Sequence, residues 1–379
     1  MADYKIKTNK THGGKEFKSN FRFIGKVSQV SKKDPETDSW EKQPIYKQST
    51  TRTGKPRRVL QFEVETALSN RLRVELAGME QQFAYPYSSK HKKSQKVAWN
   101  DRNDKTKFPD DTYHAIEVDW DKAERLGKVI KEDDWVEVRG QYQFDTFTPD
   151  DSNEEKVFVK RIISSVRPIL NGVIVNEDGT TQTVKHAGEE FDYITDFNDP
   201  NFREVNYFTM QIGIRSTYQE ESGDTKVNGT FLDYGKERSE PKDVELIVYQ
   251  KEVPEGKKSM ADAFASLNTY DFIEVTGQDN NRATFSYVDV VEELASDDPF
   301  ADVDETEKVT RKERVTNGDK KGLEVISYVQ GSLMRELLTE EEFRKTAAVT
   351  TENPFASNDD PFSNTDNDPF AVDESDPFA

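Results

Sequence analysis

Asp134-Trp135-Val136-Glu137-Val138-Arg139-Gly140 returns further along the chain as Asp271-Phe272-Ile273-Glu274-Val275-Thr276-Gly277. Both stretches read Asp, aromatic, aliphatic, Glu, Val, variable residue, Gly. Alternation places Val136 and Val138 on one side of an extended chain and Glu137 and Arg139 on the other, the period of a half-buried strand. The recurrence assigns the two stretches to the same strand of two related units. Upstream of the first copy, Phe21, Phe23, Gly25 and Val27 alternate with Arg22 and Lys26, and Ile24 is the one exception. Leu60, Phe62 and Val64 alternate next. After a break at Leu68-Ser69-Asn70, Leu72, Val74 and Leu76 alternate with Arg71, Arg73 and Glu75, which reads as a hairpin with an arginine-bearing face. Val157 to Val166 gives one more strand after the first copy.

The first unit is thus a strand, a hairpin, an insertion with a short helix over Asp121 to Ile130, and two further strands. That order fits the oligonucleotide-binding barrel, a five-stranded design whose second and third strands and connecting loops hold nucleic acid. The second unit repeats the plan with strands at Val205 to Ile214 and Val244 to Val248, a helix at Met260 to Leu267, and last strands at 271–277 and 283–291. The expected fold class is mainly β: two tandem OB-fold-like five-stranded barrels followed by a disordered acidic tail with a short helical segment. The expected domains are a flexible basic arm over 1–20, a first barrel over 21–170, a second over 171–295 and the tail over 296–379. Within the tail, apolar residues at 322–347 suggest a helix pair, with Thr339 and Glu342 spaced as a capping box. Such a module is suited to binding a partner or a second copy of the chain.

The chain has 379 residues and a net charge of −20, unevenly spread. Counting Lys and Arg against Asp and Glu gives about +12 over residues 1–107, −6 over 108–170, −14 over 171–294 and −12 for the rest. A basic front and an acidic rear point to an anion-binding region followed by a tail. Single strands are held by cations that track phosphate and by aromatic faces on which bases stack. The candidate nucleic-acid-binding residues are Arg22, Lys26, Trp40, Tyr46, Arg57, Arg58, Arg71, Arg73, Tyr85, Tyr87, Lys92, Lys93, Lys96 and Trp99. For Arg71 and Arg73 an ordinary solvated strand face is the equal alternative. With no Cys, thiolate metal sites and Cys nucleophiles are excluded. The four His are scattered, and no phosphate-cradling Gly-Lys loop or Gly-x-Ser-x-Gly elbow occurs, so no enzyme, cofactor or metal is expected. No apolar run approaches the length of a membrane span, and the expected location is the cytoplasm.

The acidic rear carries a repeated word: Asp-Pro-Phe around Phe300, Phe362 and Phe370, Asn-Pro-Phe at Phe355, and Asp376-Pro377-Phe378 before the final Ala. After Lys345 there is no Lys or Arg, so the carboxylates repel and keep each Pro-Phe displayed for capture in a partner's pocket. A basic, aromatic-bearing barrel followed by such a tail resembles the single-stranded-DNA-binding proteins of bacteria and their large phages. The resemblance implies a non-enzymatic role in DNA replication, recombination or repair, inside a bacterial host if the chain is phage-encoded. It also implies that Asp376, Pro377 and Phe378, with their upstream copies, dock replication and repair enzymes. Two departures stand out: an Ala follows the last Phe, and the word recurs upstream. Asn-Pro-Phe and Asp-Pro-Phe repeats also resemble the docking words of eukaryotic endocytic adaptors, so a peptide-motif adaptor is the alternative. A nucleic-acid enzyme with an unrecognised carboxylate site is a second one.

Overall fold

The structure is a computed structural model that describes residues 4–33, 39–51, 54–147, 156–254, 256–282, 285–295, 306–316 and 320–344. The chain is mainly β. Two sets of five strands organise it. The first set is β1 (Ser19–Ser28), β2 (Pro56–Ala67), β3 (Asn70–Met79), β4 (Trp135–Phe147) and β5 (Lys156–Leu170). Antiparallel pairings join β1 to β2, β2 to β3, β5 to β4 and β4 to β1, and a parallel contact at Ile162 and Glu75 joins β5 to β3. The second set is β6 (Val205–Gln219), β7 (Thr225–Asp233), β8 (Glu240–Val248), β9 (Phe272–Arg282) and β10 (Lys320–Tyr328). It repeats the circuit, with the parallel contact between β8 and β10 at Leu246 and Leu323. Each set therefore closes into a ring of pairings, and the first does so with the strand order expected from the sequence.

The recurrent stretch explains itself in three dimensions. Gly140 and Gly277 each sit at a β-bulge, where the register of β4 on β5 and of β9 on β10 slips by one residue. At Gly140 a Cβ would fall on the Ile162 carbonyl and the Phe21 ring; at Gly277 it would fall on the Glu324 carbonyl and the Phe208 ring. Phe21 and Phe208 are thus equivalent, and they face each other, because β1 and β6 pair antiparallel with Phe208 opposite Phe21 and Tyr207 opposite Arg22. The duplicated strands meet about a local two-fold at that Phe pair.

Several expected boundaries differ. The arm over residues 1–20, read as flexible, is folded over its described part: Lys7–Thr8 pairs with Lys15–Glu16, and Phe17 is buried against Phe231 and Phe272 at ring-centroid distances of 6.2 and 5.2 Å. Tyr4 and Ile6 pack against the same core, so three apolar residues among many polar ones dock the arm. The strand expected at 283–291 is not the last of the second ring. Phe285–Ala295 pairs with Thr306–Thr316 in a separate hairpin, and β10 takes the ring position. The helix pair expected at 322–347 begins instead as a strand, Leu323 and Val325 being buried in the ring core; among its described residues only Glu340–Phe343 is helical. The expected capping box does open that turn, with the Thr339 amide donating to Glu342 at 3.0 Å. The segment 171–204 belongs largely to neither ring core. Val173–Val175 and Thr181–Gln182 extend the β5 edge, and Ile174, Val184 and Tyr193 bury Ile24 and Ile169 beneath them. That cover is why Ile24 breaks the alternation of β1.

The rings share one core and a buried polar junction. Asp279 of β9 receives two hydrogen bonds of 2.6 Å from Arg161 and one of 2.9 Å from the Tyr142 hydroxyl. Desolvation raises the Tyr142 hydroxyl pKa well above its ordinary value, and neighbouring Asp279 pushes the same way. Asn70 of β3 and Asn206 of β6 donate to the Asp279 carbonyl at 3.2 and 2.8 Å.

Candidate nucleic-acid interface

The first ring carries two outgrowths rich in cations. Between β1 and β2, Ser31–Lys33 pairs with Trp40–Lys42, presenting exposed Lys32, Lys33 and Lys42 with Trp40, whose side is 69% open to solvent. Between β3 and the helix α1 (Asp119–Val129), residues 83–114 fold as short strands around a core of Ala84, Val97, Trp99, Phe108 and Tyr113. Tyr85 and Tyr87 stay exposed on that module, beside exposed Lys90, Lys92, Lys93 and Lys96. The Lys96 ammonium lies 3.5 Å from the Phe83 ring centre. Asp119 and Asp121 in the first turn of α1 suit the positive end of its dipole, and Arg102 holds Asp121 through two bonds of 2.7 and 2.8 Å, fastening the module to the helix.

The other sequence candidates lie elsewhere. Trp99 is buried in the module core with Arg102 stacked 4.5 Å from it. Arg58 stacks on Trp120 at 4.2 Å and pairs with Glu124 at 2.7 Å, and Tyr46 packs over Gly127 of α1. Arg57 is half-buried on β2. Lys26 pairs with Asp133 at 2.6 Å. Arg71 and Arg73 reach solvent but pair with Glu65 at 2.8 Å and Glu75 at 3.5 Å. Glu63 stands opposite Arg73, its carboxyl raised by burial against the pull of Arg71. That strand face therefore carries as many carboxylates as guanidiniums or more. Phe300, Phe355, Phe362, Phe370, Asp376, Pro377 and Phe378 lie outside the described residues.

A second feature appears only in the fold. Arg22 is buried and donates to Glu137 at 2.6 Å; Arg139 donates to the same carboxylate at 3.0 Å and Arg167 at 2.7 Å. Burial alone would raise the Glu137 carboxyl, but the hydrogen bond from Arg139, the charge of Arg22 and the bond from Arg167 outweigh it and hold the carboxyl low. Three guanidiniums against one carboxylate leave an excess of positive charge. Beside them opens a cavity of about 380 Å³ lined by Asn20, Arg22, Arg139, Ser164, Tyr207 and Thr209. Tyr207 also lines a neighbouring cavity of about 510 Å³ with His186, Asn206, Thr276, Gln278 and Ile326. The two cavities are counterparts under the local two-fold, Arg139 and Ser164 answering to Thr276 and Ile326 by their register on the bulge glycines. Arg167, Tyr207 and His186 escaped the sequence reading because the pairing of strands distant in sequence has no local signal.

No family model matches the sequence, and no curated protein does. Among solved structures, the single-stranded DNA binding protein from Thermus aquaticus aligns in two forms. A deletion mutant matches at 11% identity over 86% of this chain and 97% of that one, with a TM-score of 0.34. The wild type matches at 12% over 81% and 97%, also with a TM-score of 0.34. A score of that size does not equate the folds, and the functional reading stands on the side chains.

Proposed function

We propose that the chain binds single-stranded DNA without catalysing a reaction, as a replication, recombination or repair protein of a bacterial or phage system. The observation that carries this reading is the set of exposed aromatics on folded outgrowths of the first ring: Trp40 among Lys32, Lys33 and Lys42, and Tyr85 and Tyr87 beside Lys90, Lys92 and Lys93. An exposed ring held on a hairpin next to lysines is the arrangement that stacks bases while cations follow phosphate. The strand order of the first ring, with its outgrowth between the first two strands, supports the same reading. Titration of labelled oligo-dT and of duplex DNA at about 50 mM salt tests it, salt being the variable to which phosphate contacts respond most. Tight binding of oligo-dT in preference to duplex is expected; equal or absent binding removes the proposal.

The Asp-Pro-Phe words supply the second half of the function, recruitment of replication and repair enzymes in the cytoplasm. Each Phe is an apolar anchor, and five copies on one acidic chain raise the local concentration of the motif. Phe378→Ala should weaken partner capture in part, and changing Phe300, Phe355, Phe362, Phe370 and Phe378 together should abolish it. Retention of every partner by the fivefold variant favours the view that the words only solvate the tail.

A further inference from the structure

None of the residues lining the cavities that meet at Tyr207 belongs to the Trp40 or Tyr85 outgrowth. On one side of Tyr207 the surface is cationic: Arg139, whose side chain is 48% exposed, stands in front of the buried Arg22 and Glu137. Arg167 closes the cluster from behind and is further tied to Asn176 at 2.8 Å. Because one carboxylate serves three guanidiniums, this side is set for an anion. On the other side the surface is flatter, and its charged lining residue, Lys185, is paired with Glu190. The His186 ring lies 5.8 Å from the Tyr207 ring, and burial, with Arg22 and Arg203 nearby, lowers its pKa and so favours the neutral ring. Ile326, Thr276 and Gln278 complete that wall.

The roof over the flat side is the turn of the hairpin Val184–His186 and Glu189–Phe191. Its two turn residues, Ala187 and Gly188, both have positive φ, 51° and 84°. Two-residue turns of this kind strongly prefer Asn, Asp or Gly at the first position, so an Ala there is held at some cost. The turn is anchored by Arg22, which donates to the Lys185 carbonyl. One buried arginine thus fixes both the anion side and the roof of the flat side.

Resting on the single-strand reading above, we infer that the junction of the two rings is a subsite for one nucleotide of the bound strand, its phosphate at Arg139 and Arg22 and its base against the Tyr207 ring beside His186. Cavities of about 380 and 510 Å³ sharing one wall are of the size that holds small ligands. A nucleotide has the required form, an anion joined to a flat ring with hydrogen-bonding edges, and Thr276 and Gln278 offer partners to those edges. The asymmetry follows the internal duplication: the image of Arg139 is Thr276, so the guanidinium that fronts one cavity is answered by a hydroxyl in the other.

The test uses the full chain, oligo-dT carrying 5-bromodeoxyuridine, and the variants Arg139→Gln, Tyr207→Leu and Tyr207→Phe, each first shown to melt as the parent does. Photocrosslinking followed by peptide mapping should label the peptide containing Tyr207 or His186. Tyr207→Leu should weaken oligo-dT binding about five- to 150-fold, the range for one stacked base, while Tyr207→Phe binds as the parent. Arg139→Gln should reduce the slope of log affinity on log salt by about 0.7, the value for one phosphate on a single strand. If the parent binds oligo-dT, Trp40→Ala weakens it, Tyr207→Leu and Arg139→Gln bind as the parent does and the crosslinks map away from Tyr207 and His186, the subsite is overturned while the single-strand reading stands. If the parent binds no oligo-dT at all, the reading beneath it falls as well.

Discussion

Glu137 and Glu274 occupy the same place in two copies of one strand, and their surroundings have gone opposite ways. In the first ring Arg22, Arg139 and Arg167 converge on the carboxylate; in the second, Gln211 donates to it at 3.0 Å and no arginine reaches it among the described contacts. The Glu137 carboxyl is held low and the Glu274 carboxyl is raised by desolvation. The rims differ in the same sense. The first ring bears outward-facing additions, whereas the second is wrapped by the chain itself, with Leu338 and Phe343 lying on Gly213 and Phe17 on Phe272. One backbone plan has been split between a ring that spends its surface on cations and a ring that spends it on packing.

The largest expected effect tests the arginine cluster. Glu137→Ala leaves three guanidiniums without their buried counter-charge and should lower stability by about 3–5 kcal/mol, read from urea unfolding. Glu274→Ala should cost far less, and equal losses would end the contrast. The next test concerns binding: Trp40→Ala and Tyr85→Ala should each weaken oligo-dT by about 1–3 kcal/mol, while alanine at exposed Tyr234 of the second ring should leave it unchanged. A loss at Tyr234 equal to that at Trp40 would spread the interface over both rings. Gly140→Ala and Gly277→Ala should each destabilise by about 1–3 kcal/mol, because each Cβ meets a neighbouring carbonyl oxygen and a Phe ring. Here similar values are expected, and a large difference would undo the equivalence of the two bulges.

The smallest effect is in pH. Because the Glu137 pKa is lowered, its stabilisation is present above the unfolded value near 4.3 and is lost as the solution is acidified through the folded value. Because the Glu274 pKa is raised, its contribution has the other sign, full below the unfolded value and lost as pH rises through the folded one. Glu137→Gln should therefore be most damaging at neutral pH and less so in acid. Glu274→Gln should be neutral or slightly stabilising at neutral pH and indistinguishable from the parent in acid. Parallel pH profiles for the two variants would contradict this.

Much of the frame was legible because it is written in short-range alternation. Phe21 to Val27, Leu60 to Val64, Leu72 to Leu76 and the paired Asp-to-Gly stretches are strands where periodicity placed them, and Asp121 to Ile130 lies within a residue or two of α1. What failed was the choice among strands of similar pattern. Residues 283–291 and 323–330 both carry apolar runs, and only the bulge at Gly277 and the parallel contact with Leu246 decide which one closes the ring. Thr225–Asp233 was missed because Asn228, Gly229 and Thr230 dilute its alternation. Among the site residues, composition found Trp40 and Tyr85 on the surface but could not tell them from Trp99, whose burial depends on Phe108 and Tyr113 folding around it. Arg22 carried the right charge for a reason the sequence could not show, a partner more than a hundred residues away on β4.

The antiparallel meeting of β1 and β6 has a consequence for any fragment of the chain. Phe21 and Phe208 occupy equivalent places and face one another, so the edge each ring offers is complementary to a copy of itself, as in an isologous dimer. The protein is in this sense a dimer written as one chain, with residues 171–204 tethering its halves. Cutting within that tether would free two matching edges, from Ser19 to Ile24 and from Val205 to Met210. The separated first half should then pair with another first half, and adding the second half should compete that homodimer apart.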